Sequence, residues 1–138
     1  GFIQENPITA ATATGADFIL DLAVPTNARW RMRELKIKYV ASGTAGTRSV
    51  DVIVLDVNGS IVLSYVDNVA PIVSQTVLIY IGSGDYANTE GATSITEVVL
   101  QQPLELQEGW SIRVEDVADI SATDTVEFSG IIEEWLVL

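Results

Sequence analysis

The sequence predicts an all-β fold, a single antiparallel β-sandwich of about eight strands, jelly-roll-like, with an extended N-terminal arm. Three observations carry this. Apolar residues recur with period two, clusters of Gly, Asn, Asp and Ser interrupt them about every ten residues, and no stretch keeps a 3.6-residue period beyond one turn. The 138 residues fit one domain able to bury its own core, with no internal repeat and no second composition.

Residues 1–16, rich in Thr, Ala and Asn with Pro7, read as an extended arm, and residues 17–138 as the sandwich. Asp17 to Ala23 is the first strand candidate. Trp30 to Val40 is the second, and its apolar phase changes partway: Trp30 and Met32 fall on even positions, Leu35, Ile37 and Tyr39 on odd ones. A one-residue slip of this kind is what a β-bulge near Arg33-Glu34 produces, unless the strand ends there and restarts. From Arg48 to Val57, Val50, Val52 and Val54 line one face and Ile53, Leu55 and Val57 the other, the pattern of a strand covered on both sides.

Asp56-Val57-Asn58-Gly59 then marks a tight turn into Ile61 to Val66, because Asn-Gly supplies the positive φ that hairpin turns need. Thr76 to Ile81 and Ile95 to Leu100 are further strands. Between them, Gly82 to Ser94 is polar and Gly-rich, the one long loop inside the domain, and it carries Tyr86. Glu108-Gly109 turns into Trp110 to Glu115, which alternates apolar and polar as a strand with one wet face does. Val126 to Leu138 closes the domain.

Composition removes whole classes of chemistry. Without His or Cys the chain cannot build a zinc finger, a thiol nucleophile, a Ser-His-Asp triad or a His-ligated metal centre. With 19 acidic residues against 7 basic ones, its net charge of −12 speaks against nucleic acid and against anionic membrane surfaces. At 48% apolar it is too hydrophobic for disorder, and no apolar run approaches the roughly 18 residues of a membrane span. No signal peptide is visible at Gly1-Phe2-Ile3, and a Cys-free chain is stable in either redox compartment.

The charge is uneven. Residues 29–38 hold Arg29, Arg31, Arg33, Lys36 and Lys38, five of the seven basic residues, against the single acid Glu34, so this segment is +4 and the remainder −16. The plain reading is cross-strand pairing with neighbouring Asp and Glu, worth little per pair. The functional reading is a docking stripe for an acidic partner surface, where charge sets register and encounter rate.

Paired carboxylates are the one catalytic constellation the composition permits in number. Glu133 and Glu134 are adjacent on a strand and point to opposite faces, so they cannot converge on one bond. Glu115-Asp116 and Asp119 with Asp124 are the other candidate pairs, and because a small sandwich lacking a deep cleft rarely hydrolyses glycosides, no catalytic residue is expected. Asp116, Asp119 and Asp124 lie in an acidic connection where calcium is conceivable. The run lacks an EF-hand's alternating ligands and central Gly, and turn chemistry explains the same residues, so no metal or other cofactor is expected. Trp30, Trp110 and Phe128 read as core. Tyr86, in the polar loop, either anchors its own loop or meets a sugar or a protein partner.

Several features fall in order: Pro25-Thr26-Asn27 before Trp30, Ala45-Gly46-Thr47-Arg48 entering the Val-rich strand, and the Asp56 to Gly59 turn. Leu104 to Val114 with Glu108-Gly109-Trp110, and the strand from Asp124-Thr125-Val126 to Glu133-Glu134-Trp135, complete the series. Over roughly residues 17–138 the chain resembles the capsid decoration, or cement, proteins of tailed bacteriophages. The resemblance implies a non-enzymatic virion protein, made in the host cytoplasm, that binds the capsid exterior and clamps neighbouring major capsid subunits. It also implies self-association, with a homotrimer favoured. The contacts would come from the arm, including Phe2 and Ile3, from the basic stripe, and from Tyr86. The alternative reading is a carbohydrate- or receptor-binding sandwich, a spike or fibre head, using the 82–94 loop.

Overall fold

The computed structural model describes residues 3–14, 18–44, 46, 48–72, 74–82, 94–102, 104–116 and 124–137. Ten strands make up these segments: β1 (Ile3–Thr14), β2 (Phe18–Ala23), β3 (Ala28–Val40), β4 (Val50–Leu55) and β5 (Ile61–Val69). They continue with β6 (Thr76–Gly82), β7 (Ser94–Val99), β8 (Leu104–Leu106), β9 (Ser111–Asp116) and β10 (Thr125–Leu136). One sheet, here sheet A, runs β1-β10-β3-β6-β7, with the short β8 also pairing β3; sheet B runs β2-β9-β4-β5.

This order is a rolled-up ribbon. Starting at the β4–β5 hairpin, the two arms of the chain pair back to back, β4 with β5, β3 with β6 and β8, β2 with β9, and β1 with β10. Successive arms are dealt alternately to the two sheets, which is the jelly-roll arrangement. The antiparallel sandwich expected from period-two patterning is therefore present, with one departure: β7 lies parallel to β6. Two strands are additional to the eight expected. The segment read as an arm runs extended as β1 along β10, with Pro7 tolerated because an edge strand can lack a ladder donor. The other, β8, is three residues long and too short for periodicity to register.

The core lies between the sheets. Trp30, Met32, Leu35, Ile37 and Tyr39 from β3 meet Val50, Val52 and Val54 from β4, with Val77, Ile79 and Ile81 from β6 and Ile112 and Val114 from β9. Trp110 packs against this cluster half-buried, whereas the side chain of Phe128 lies outside the described residues. β4 is buried on both faces, as its sequence requires. At its end Asp56 accepts from the Asn58 and Ser60 amides at 2.9 Å each, and Gly59 sits at φ +79°. This is a type I turn closed by a glycine bulge, the three-residue form of hairpin loop.

Candidate functional site

The phase change in β3 is a bulge, and it decides which residues share a face. Ile131 of β10 pairs Glu34 while Ile132 pairs Met32, so Arg33 is the extra residue. Before the bulge the odd positions face outward; after it the even positions do. Arg29, Arg31, Lys36 and Lys38 thereby reach the same outer face of sheet A, while Trp30, Met32, Leu35, Ile37 and Tyr39 all point inward. Without the slip, the lysines would enter the core.

Gly130 makes the bulge possible. A Cβ built there would lie 2.2 Å from the Glu34 carbonyl oxygen and 3.2 Å from the Leu35 Cα. Only glycine lets the two backbones approach this closely.

Acids of β10 and β8 flank the arginine half of the basic strand, whereas β6, beside its lysine half, carries none. The Arg31 guanidinium donates to Glu133 of β10 at 3.4 Å and to Glu105 of β8 at 3.1 Å, and it lies 4.6 Å over the Trp135 ring. Arg33 donates to the second oxygen of Glu133 at 2.9 Å. Glu133, only 17% exposed, therefore receives two arginines, and its neighbour Glu134 turns the other way to accept from the Trp30 indole at 2.7 Å. Lys36 stands between Ser129 and Tyr80, and Lys38 between Glu127 and Leu78. Burial, and then the charge and hydrogen bond of Glu34, push the Tyr80 hydroxyl above its ordinary range.

The stripe is thus a laced surface, held in register by pairs that each contribute at most about 1 kcal/mol. Arg29 and Arg33 stand furthest into solvent. A cleft of about 160 Å³ opens beside Lys38, lined by Val40, Thr125, Val126 and Glu127, and it is smaller than the few hundred Å³ of a typical ligand pocket. Of the other partner-binding candidates, Phe2, the side chain of Ile3, and Tyr86 with residues 83–93 of its loop lie outside the described residues.

Sequence reasoning missed a second cluster. Asp116 at the end of β9 and Asp124 just before β10 are both fully buried, and Tyr39 of β3 lies against both, its hydroxyl 2.6 Å from Asp124 and 3.1 Å from Asp116. Arg48 reaches in from the approach to β4, donating to Asp124 through Nε at 2.5 Å and Nη2 at 3.1 Å, and to the Thr44 carbonyl at 2.8 Å. The Ser42 amide completes the shell of Asp124 at 2.7 Å.

Burial alone would raise the Asp124 carboxyl, but Arg48, Tyr39 and Ser42 hold it well below the usual carboxylate range. Burial, followed by the hydrogen bond to Asp124 and the charge of Asp116, drives the Tyr39 hydroxyl far above its own. Two of the three acids considered for calcium do converge, but a guanidinium occupies the place a cation would take. Asp119 lies outside the described residues. Among the described residues no three metal-ligating side chains gather.

No protein-family model matches the chain, and no curated protein matches it. Solved structures do match. A chain of infectious bursal disease virus, Gx strain, aligns at 10% identity and TM-score 0.42 over 96% of this chain and 32% of its own length. The Gt strain of that virus aligns at 9% identity and TM-score 0.39, over 99% and 37%. A CocE/NonD family hydrolase from Staphylococcus aureus aligns at 10% identity and TM-score 0.31, over 98% and 34%. The chain spans about a third of the length of the viral chains it matches.

Proposed function

We propose that this chain is a non-enzymatic structural protein of a virus particle, a decoration protein that docks on the outside of a tailed-phage capsid and bridges neighbouring major capsid subunits. The observation that carries the reading is the outer face of sheet A, where a bulge permitted by Gly130 gathers β3's cations onto one surface beside the acids of β10 and β8. A fixed pattern of alternating charge defines the register of a partner more than it supplies affinity, which suits a protein that must find one orientation at many equivalent positions. Jelly rolls recur in viral capsid proteins, lectins and cupins, and fold does not by itself assign function. The metal chemistry of a His-dependent site is closed to a chain without His. The carboxylates that converge here are sealed in the core against Arg48 and Tyr39, away from any substrate. An acidic remainder keeps the exposed surface soluble.

The test uses purified particles from cells in which the gene is expressed by its own virus. Antibody labelling of intact particles, with mass spectrometry, should find the chain on the exterior in many copies. The double change Arg29→Glu and Arg33→Glu should leave folding intact and reduce particle occupancy severalfold. Absence of the chain from purified particles refutes the proposal; wild-type occupancy of the charge-reversed protein at low and high salt refutes the role of this face.

A further inference from the structure

We propose that Asp116 holds a proton at neutral pH in the folded chain, and that this proton closes a pH-sensitive clasp between the two sheets, Asp116 donating to Tyr39 and Tyr39 to Asp124. The inference goes beyond the virion reading and does not depend on it.

A count of hydrogens carries it. Asp116 closes β9 in sheet B, and Tyr39 comes from β3 in sheet A. The Tyr39 hydroxyl oxygen lies 2.6 Å from Oδ2 of Asp124 and 3.1 Å from Oδ2 of Asp116. A phenol has one hydrogen to give and an ionised carboxylate has none, so two ionised acids would share a single hydrogen. The short contact is where that hydrogen lies. The hydrogen of the second contact then comes from Asp116, and the Tyr39 oxygen accepts it.

The partners decide which acid is charged. Asp124 accepts from Nε and Nη2 of Arg48 and from the Ser42 amide, the surroundings of an anion. The other hydrogen bonds of Arg48 go to the carbonyls of Thr44 and Gly46 and the hydroxyl of Ser42. Asp116 takes the Ser49 amide at a longer 3.3 Å, and it is fully buried. Burial and the carboxylate of Asp124 across the same hydroxyl both favour its neutral form. Its register partners on the neighbouring strands, Phe18 of β2 and Val50 of β4, are not ionisable, and Glu115 and Asp51 point to the opposite face. Among the described residues, the ionisable groups turned toward Asp116 are thus Tyr39, Asp124 and Arg48.

Loss of the proton sets two buried carboxylates against one hydroxyl hydrogen, and the end of the sandwich where β9 meets β3 loosens. Asp116 ionises before Tyr39, whose own ionisation the Asp116 charge then opposes. A carboxyl held above its unfolded value of about 4 contributes fully below that pH and loses its contribution as pH rises toward the native value. The unfolding constant should therefore grow by up to about tenfold per pH unit from about pH 5 to neutrality, the effect of one proton. Asp124 acts below about pH 4 and Tyr39 above about pH 10, so the three windows are separate.

Two measurements on the full chain test the proton. Carbon-13 NMR of the aspartate side chains, assigned through bonds, should find the Asp116 carboxyl protonated at pH 7 and the Asp124 carboxyl ionised. Asp116→Asn, whose amide donates to Tyr39 as the acid does, should melt at or above the parent's temperature at pH 7 and lose the decline above pH 5. An ionised Asp116 at pH 7 in the parent chain overturns the proposal, whether or not the variant folds. An Asp116→Asn protein that melts several degrees below the parent at pH 7, or that keeps the parent's decline above pH 5, overturns it as well.

Discussion

Substituting Gly130 by alanine tests whether the β3 bulge is where the structure places it. In an ordinary strand position, Gly→Ala stabilises by roughly 0.5–1 kcal/mol, because glycine loses more backbone freedom on folding. Here the new methyl carbon would lie 2.2 Å from the Glu34 carbonyl oxygen, a backbone atom that no side-chain rotation can clear. Ordinary contact needs about 1 Å more, and forcing that displacement through a packed interior costs about 1–3 kcal/mol, more if the bulge is lost and the lysines are driven inward. The net expectation is a loss of about 1–2 kcal/mol, or a fall in melting temperature on the order of 5 °C for a domain of this size. The assay is equilibrium urea unfolding alongside calorimetry, with Gly82→Ala as comparison. There the atoms in the way belong to the Tyr80 side chain, which can swing aside, so the loss should be smaller. Because an unobstructed strand glycine would give the opposite sign, a Gly130→Ala protein as stable as the parent, or more stable, refutes the close approach and the bulge with it.

Removing one partner of the buried cluster by Asp124→Asn should cost about 3–5 kcal/mol in urea unfolding, and Arg48→Met combined with Asp124→Leu should recover much of that, since a well-packed apolar pair needs no compensating charge. The native carboxyl of Asp124 is depressed, so its contribution is complete at neutral pH and is lost as pH falls below the unfolded value of about 4. Melting temperature measured against pH should show that acid limb, flattened in Asp124→Asn. Tyr39 gives the opposite limb: its hydroxyl is raised by burial, so stability should decline as pH climbs past about 10, less so in Tyr39→Phe. Tyr65 on β5 has a buried hydroxyl without a hydrogen-bond partner among the described residues, and burial pushes it up to about 12. Tyr65→Phe should therefore be neutral or stabilise by up to about 1–2 kcal/mol, and a clear loss in calorimetry would mean the hydroxyl is satisfied after all.

Local patterning was a good guide wherever the physics is local. The even-to-odd switch between Met32 and Leu35 marks a break in strand phase, and the continuous pairing with β10 shows it to be the bulge and not the end of one strand and the start of another. The Asp56 to Gly59 turn and the two-faced burial of β4 were legible for the same reason. The pairing of β1 with β10 was not, because a Thr- and Ala-rich strand at a sheet edge is held by backbone groups that every sequence shares. Strand order escaped as well, since it depends on which arms of the ribbon meet across a hundred residues. Gly130 carries a readable hint, a lone glycine inside a long strand, although only the opposing carbonyl shows why it is needed.

The buried cluster shows how a correct chemical observation can carry the wrong structural meaning. An acidic run between two strands resembles a cation site, and Asp116 and Asp124 do converge; what the linear sequence cannot show is that Arg48, some seventy residues earlier, arrives at the same point. The place matters for the fold. Residues 41–49 carry the chain from sheet A to sheet B, and residues 117–124 carry it back, so Arg48 and Asp124 tie the two crossovers of adjacent ribbon arms to each other. Tyr39 fastens that tie to β3, the strand whose outer face bears the cations. The interior cluster and the exterior stripe are then two sides of one element: the bulge sets which residues face out, and the cluster fixes where the strand ends. A change at Asp124 should for that reason loosen the 41–49 crossover first, seen as faster amide exchange at Ser42 and Ser49 before any change at Arg31 or Arg33. Uniform loss of protection along β3 would show instead that the cluster and the stripe belong to one cooperative unit.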